Sequence, residues 1–252
     1  MNTTLMRERI AEASPRSRAR ITGAVYLLYF LTAIFGAFLM RGVVVSGDAA
    51  ATANNLLAHE SSFRLGLGVG LLATACYVAV TGLFYYMFKP VDKRVSLIAA
   101  FFSLVGCAIQ AFSSIFQVAP LVALGSNPYL SVFNMGQLQA LSLMFLQLHA
   151  EAAIISIVFF GLYCLVIGYL IFRSAFLPRI LGVLMAVAGL GWLTFLSPSL
   201  GKSLIPYNEI AGMLAEGLLM LWLLVIGVKV SRGNEQASAA MRNERMERDK
   251  SS

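Results

Sequence analysis

Residues 152–172 read AAIISIVFFGLYCLVIGYLIF; after a short break, RSAFLPR at 173–179, the chain resumes as ILGVLMAVAGLGWLTFL at 180–196. Each run is close to the length of about twenty apolar residues that a helix rising about 1.5 Å per residue needs to cross about 30 Å of hydrocarbon. Inside a bilayer every backbone N–H and C=O must be paired within the spanning element, which only helices and closed barrels achieve. Barrel strands would alternate apolar and polar residues over about ten positions, and these runs do not alternate. Pro178 cannot continue a helix, so the two runs read as an antiparallel helical hairpin.

The same pattern recurs at 21–40, 65–88, 95–124 and 208–230, with Lys89-Pro90 stopping the second run and Ser197-Pro198 closing the fifth. Of the 252 residues 59% are hydrophobic and 12% charged, where a soluble domain carries about 25% charged residues. Mean hydropathy is +0.79. The fold class is therefore read as all-α, a polytopic membrane bundle of six transmembrane helices spanning 21–230 between a basic tail at 1–20 and a polar tail at 231–252. The first run is longer than the core of a signal peptide and lacks a small-residue cleavage site, so it is read as retained. Cys76, Cys107 and Cys164 all fall inside apolar runs, which suits buried thiols better than disulfides or a thiolate metal site.

The net charge of +7 raises the question of a nucleic-acid partner, but the positive charge sits at the borders of the spans. With the N-terminus inside, 16 of the 19 Lys and Arg residues fall on the cytoplasmic side, leaving Arg41, Arg64 and Lys202 outside. The positive-inside rule thus predicts N-in/C-in topology in a bacterial-type inner (plasma) membrane. On the opposite side two long connections, 41–64 and 125–151, face outward. In the second, Leu138, Leu141, Phe145 and Leu148 recur at helical spacing among Gln137, Gln139, Ser142 and Gln147, which predicts an external amphipathic helix before the fourth span, or an extension of that span bent near His149.

The stretch 159–192, FFGLYCLVIGYLIFRSAFLPRILGVLMAVAGLGW, resembles the most recognisable segment of a bacterial multipass family catalogued as domain of unknown function 4386. Arg20-Ile21-Thr22-Gly23, Gly47-Asp48-Ala49 and Phe63-Arg64-Leu65-Gly66 are similar to the corresponding places in that family. The resemblance covers about 18–230. It implies a multipass membrane protein and carries no catalytic residue or cofactor with it.

Within the membrane, Ser103, Gly106, Gln110, Ser113, Ser114 and Gln117 recur at three- and four-residue steps on one face of the third span. Such a polar stripe either bonds to neighbouring helices or lines a hydrated cavity. Glu216 lies well inside the sixth span, and an intramembrane acid is by default a functional-site hypothesis whose partner must be named. Arg64, entering the second span from the same side, is the candidate; without a cation Glu216 could relay protons. His59, His149 and Glu151 fall on the external side and could hold a metal ion only by converging from separate segments. Gly66-Leu67-Gly68-Val69-Gly70 opens a membrane helix and so reads as a packing surface, as do Gly182, Ala186 and Gly189. The scattered tyrosines read as ordinary membrane aromatics.

The leading functional reading is a non-enzymatic protein whose outward-opening polar pocket, between the third and sixth spans, binds a lipid or small solute and passes it through. Gln110, Ser113, Ser114, Gln117, Glu216 and Arg64 would line it. The alternatives are a metal-assisted membrane lipid hydrolase using His149, Glu151 and His59, and an accessory subunit of a membrane complex. Membrane lipids and a small-molecule ligand are the implied partners. No cofactor and no nucleic acid is called for, and the small-residue faces leave a protein partner or homo-oligomer open.

Overall fold

The computed structural model describes residues 15–125 and 127–228; the tail expected at 231–252, and that at 1–20 up to residue 14, lie outside them. The described chain is helical: α1 Pro15–Leu39, α2 Ala49–Ala58, α3 Glu60–Phe88, α4 Lys93–Ala123, α5 Met135–Arg173, α6 Arg179–Leu193, α7 Pro198–Ser203 and α8 Ile205–Val225, with 3-10 turns at Pro128–Val132 and Thr194–Leu196. Six helices are long and apolar enough to cross a membrane: α1, α3, α4, α5, α8, and α6 with its 3-10 continuation to Leu196. The expected bundle of six long apolar helices is present, and the chain is a multipass membrane protein.

Three boundaries differ from the expectation. α1 begins at Pro15 and runs through Arg16, Arg18 and Arg20, because proline is tolerated in a first turn and arginine is a good helix former. The connection after α1 contains a helix that hydropathy alone misses, α2, started by Asp48, whose side chain accepts from Ala51 N at 2.8 Å. The amphipathic segment is not a separate helix. It forms the first third of α5, which runs unbroken for 39 residues from a capping box in which Asn134 and Gln137 satisfy each other's backbone N–H groups. Nothing between Met135 and Arg173 breaks it, since proline is absent there.

One end of the bundle, the basic end, gathers Arg16, Arg18, Arg20, the turn Lys89–Arg94, Arg173 and Arg179. There Asp92 caps α4 through Arg94 N and Val95 N at 3.0 Å, and Ser96 Oγ donates to Tyr85 O at 3.1 Å, fixing the α3–α4 turn. The other end carries the longer connections and is called the loop end. α2 lies there across α5, and Val43, Leu56, Phe63 and Leu146 form a small apolar core beneath it.

The spanning helices pack in a closed cycle: α1 on α3, α3 on α4, α4 on α5, α5 on α6, α6 on α8, and α8 back on α1. Its interior is filled by Tyr26, Tyr77, Phe84, Tyr163, Ile167, Leu219 and Leu223, all buried. The outward faces, including Leu31, Phe38, Phe101, Phe112, Ile180 and Leu190, are exposed and apolar, as a lipid-facing surface must be. Two joints depend on glycine. A Cβ on Gly168 would stand 2.7 Å from Gly182 O, one on Gly182 would stand 2.6 Å from Gly168 O, and one on Gly23 would stand 2.5 Å from Leu224 N. Backbones therefore touch at α5–α6 and at α1–α8, the latter closing the cycle.

These contacts set the cost of enlargement. Gly182→Val is expected to destabilise by about 1–3 kcal/mol, the usual cost of overpacking, read as a fall in midpoint on thermal unfolding in detergent. Gly217→Ala, where an added Cβ meets nothing within 4 Å, is expected to leave the midpoint unchanged or slightly raised.

Candidate functional site

Among the described residues the interior of the cycle holds one acid, Glu216. Glu216 is carried by α8 on the face that also buries Gly212, Ala215, Leu219 and Leu223, so helical periodicity turns it away from lipid. The Tyr26 hydroxyl of α1 donates to Glu216 Oε2. The other oxygen, Oε1, faces the Cys164 thiol of α5 at 3.9 Å, a weak donor. Tyr26, Tyr77, Tyr163 and Glu216 each lie about ten residues, some 15 Å along the axis, from the basic-end terminus of their helices, so four elements bring polar atoms to one level in the middle of the membrane.

Aromatic rings wall this level. Tyr26 meets Tyr77 edge-on at 6.0 Å between centroids and Phe84 at 5.9 Å, while Tyr77 in turn meets Tyr29 at 4.7 Å, Phe160 at 5.0 Å and Tyr163 at 6.1 Å. Edge-to-face contacts of this kind are stabilising beyond the area they bury. Tyr29 also packs against the Tyr26 ring, at 6.0 Å between centroids.

The polar stripe of α4 faces inward and divides by task. Ser103 Oγ pairs with Thr81 Oγ1 of α3 at 2.6 Å. The carbonyl of Gly106 accepts from Ser156 Oγ of α5 at 3.2 Å, and a Cβ on Gly106 would press on the Phe160 ring at 3.0 Å. Ser113 is buried, its hydroxyl donating to Gln110 O at 2.8 Å and its own carbonyl meeting His149 Nδ1 at 3.1 Å. Ser114 Oγ also reaches Gln110 O, at 3.4 Å, and Gln117 Nε2 donates to Met40 Sδ at 3.4 Å. Ser103, Gly106 and Ser113 are therefore interhelical joints. The Gln110 side chain is half-buried near the middle of α4, and its amide has no hydrogen-bond partner among the described residues.

α4 and α8 do not flank a common groove, because they occupy opposite positions in the cycle. Gln110 and Glu216 are carried by helices on opposite sides of it. Arg64 is not the partner of Glu216. It sits in the second turn of α3 at the loop end, exposed, and its Nε pairs with Glu60 Oε1 at 2.7 Å one turn back, whereas Glu216 lies mid-membrane against α1. The three candidate metal ligands do not converge either. His149 is held by Ser113 O, Glu151 pairs with Lys202 Nζ at 3.0 Å, and His59 bonds Asn55 O at 3.1 Å beside Arg41 and Ser62. No group of three or more His, Cys, Asp or Glu that could hold a metal ion occurs among the described residues.

The tyrosines are what sequence reasoning missed. Tyr26, Tyr77 and Tyr163 fall in the middle of apolar runs, where an interfacial aromatic belt does not reach, and that depth was the available signal. Comparison with known proteins gives three findings. A family model described as Domain of unknown function (DUF4386) matches residues 21–227. A protein of Archaeoglobus fulgidus, described as an uncharacterized protein, is 26% identical over 157 residues, covering 61% of this chain and 78% of its own length. No solved structure matches.

If Tyr26 is the donor that holds Glu216, Tyr26→Phe leaves a buried carboxyl oxygen unpaired and is expected to cost about 1–3 kcal/mol. Glu216→Gln keeps an acceptor for the tyrosine and is expected to cost less. In the Tyr26→Phe, Glu216→Gln double variant the losses should not add, which thermal unfolding of the four proteins would read directly; additive losses would separate the two residues energetically.

Proposed function

The chain belongs to the DUF4386 family, and we propose that it is a non-enzymatic membrane protein that binds a small solute or lipid group inside its cycle of helices and passes it through, with Glu216 as the binding group. The observation carrying this reading is an intramembrane acid bonded to a tyrosine and not to a cation. An acid at a helix centre costs about 2.5–3.5 kcal/mol on insertion scales, and Tyr26 returns only the strength of a hydrogen bond to a charged group, about 1.5–3 kcal/mol. A glutamine would satisfy Tyr26 without that cost, so the acid is retained for what a carboxyl alone does: exchange a proton, or accept from a strong donor on a bound molecule. Oε1, which meets the Cys164 thiol, a weak donor, at 3.9 Å, is the atom placed to do so.

The route follows the polar groups. From Glu216 it crosses to α4 and follows the polar face of that helix past Gln110, whose amide has no partner among the described residues, and Ser114 to Gln117 at the loop end. The division of Lys and Arg supports placing the basic end in the cytoplasm, N-in/C-in, of an inner (plasma) membrane, so that the stripe opens outward. The hydrolase reading lacks such support, since its three residues are engaged with separate partners.

Native mass spectrometry of protein extracted with its own lipids tests the assignment. A bound species of defined mass is expected on the wild type and should be lost from Glu216→Gln and from Gln110→Leu. A wild type with no such species, or one retained equally by both variants, would overturn it. For the orientation, a reporter inserted beside Gln139 is expected to report the external side and one at the C-terminus the cytoplasm; the reverse result would turn the molecule over.

A further inference from the structure

At the basic end a groove of about 560 Å³ runs between α1 and α8, lined by Arg16, Ser17, Arg20, Ile21, Ala24 and Leu224. On α1 the four-residue steps from Arg16 to Arg20 to Ala24 place these residues on one stripe, basic for one turn and apolar for the next. Just beyond, Gly23 packs against the backbone of Leu224, so the groove is shut toward the bundle interior and opens on the side where Ile21 is exposed. Its apolar floor therefore meets hydrocarbon, and its basic rim lies where the spans end.

Arg20 is held in place beside this groove. Arg20 Nη2 donates to Val225 O at 3.3 Å, satisfying a carbonyl at the C-terminus of α8 that the helix itself leaves unpaired. That bond fixes the guanidinium over the groove and uses one of its five N–H donors. Both ion pairs among the described residues, Arg64–Glu60 and Lys202–Glu151, lie at the loop end, so no acid among the described residues pairs with Arg16 or Arg20. A cationic rim one helical turn from an apolar, lipid-facing floor matches one kind of molecule.

We infer that this groove is a binding site for an acidic phospholipid of the leaflet at the basic end, its phosphate seated between Arg16 and Arg20 and an acyl chain lying along Ile21, Ala24 and Leu224. Inorganic phosphate would engage the rim and leave the floor uncovered. A zwitterionic headgroup would bring an ammonium against two guanidinium groups. Glu216 takes no part, so this site stands or falls independently of the interior one.

The test is native mass spectrometry of the full chain in micelles holding equal amounts of phosphatidylglycerol and phosphatidylcholine, with and without inorganic phosphate. The wild type is expected to retain phosphatidylglycerol in preference, and inorganic phosphate should not displace it. Arg16→Gln, which removes no hydrogen bond or ion pair among the described residues, is expected to weaken that retention about fivefold, and the Arg16→Gln, Arg20→Gln pair further, in line with the contribution of each basic residue at an anionic surface. Ala24→Leu, which fills the floor and keeps both charges, should also lower it. Equal retention of the two lipids, full displacement by phosphate, or retention unchanged in Arg16→Gln and Ala24→Leu would each overturn the inference.

Discussion

The hydrogen bond from Tyr26 to Glu216 joins the first span to the last, at the level where the cycle of helices is widest in aromatic rings. Helices in lipid gain little from burying apolar surface against one another, because the alternative solvent is equally apolar, so close packing and polar contacts must hold them. The α1–α8 joint uses both. Gly23 lets the backbones meet near Leu224, and two turns away in α8 the tyrosine and the acid give that contact a unique register. Closing the cycle in this way is what turns Tyr77, Tyr163 and the α4 stripe toward a common interior.

Elsewhere the same logic appears with different residues. α5 and α6 meet through reciprocal glycine contacts at Gly168 and Gly182 and again at Gly161 and Gly189, while α3 and α4 are tied by the Thr81–Ser103 pair and α6 and α8 by Asn208 Nδ2 on Thr194 Oγ1 at 2.9 Å. Each of these polar groups finds its partner on the next helix. Glu216 and Gln110 depart from that economy: the acid has a tyrosine where a cation would be expected, and the amide has no partner among the described residues.

Six spans, their approximate ends and the inward direction of the α4 stripe were legible in the residues, because length, proline punctuation and three-to-four-residue periodicity are local properties. α2 was not read, since ten residues of mostly alanine, threonine and asparagine with two leucines are too short to span a membrane, although Asp48 is an ordinary helix-starting residue. Of the two readings of the segment before His149, a separate amphipathic helix and an extension of the fourth span, the structure has the extension, as one helix through His149. Amphipathic and apolar stretches look like different elements to a hydropathy reading, yet a backbone with no breaker continues its hydrogen-bond ladder through both.

What the sequence by itself determined is the class of solvent and therefore the class of fold: apolar runs of this length without alternation leave helices as the only way to pair the backbone in hydrocarbon. Family membership was legible too, in the segment around 159–192. Only the tertiary structure decided which helices are neighbours, and with that the partners of each polar side chain. Arg64 and Glu216 looked compatible by charge and side of entry, but ion pairing requires proximity, and proximity followed from the order of the cycle, which put Tyr26 beside the acid and left Arg64 to Glu60 at the bundle's edge.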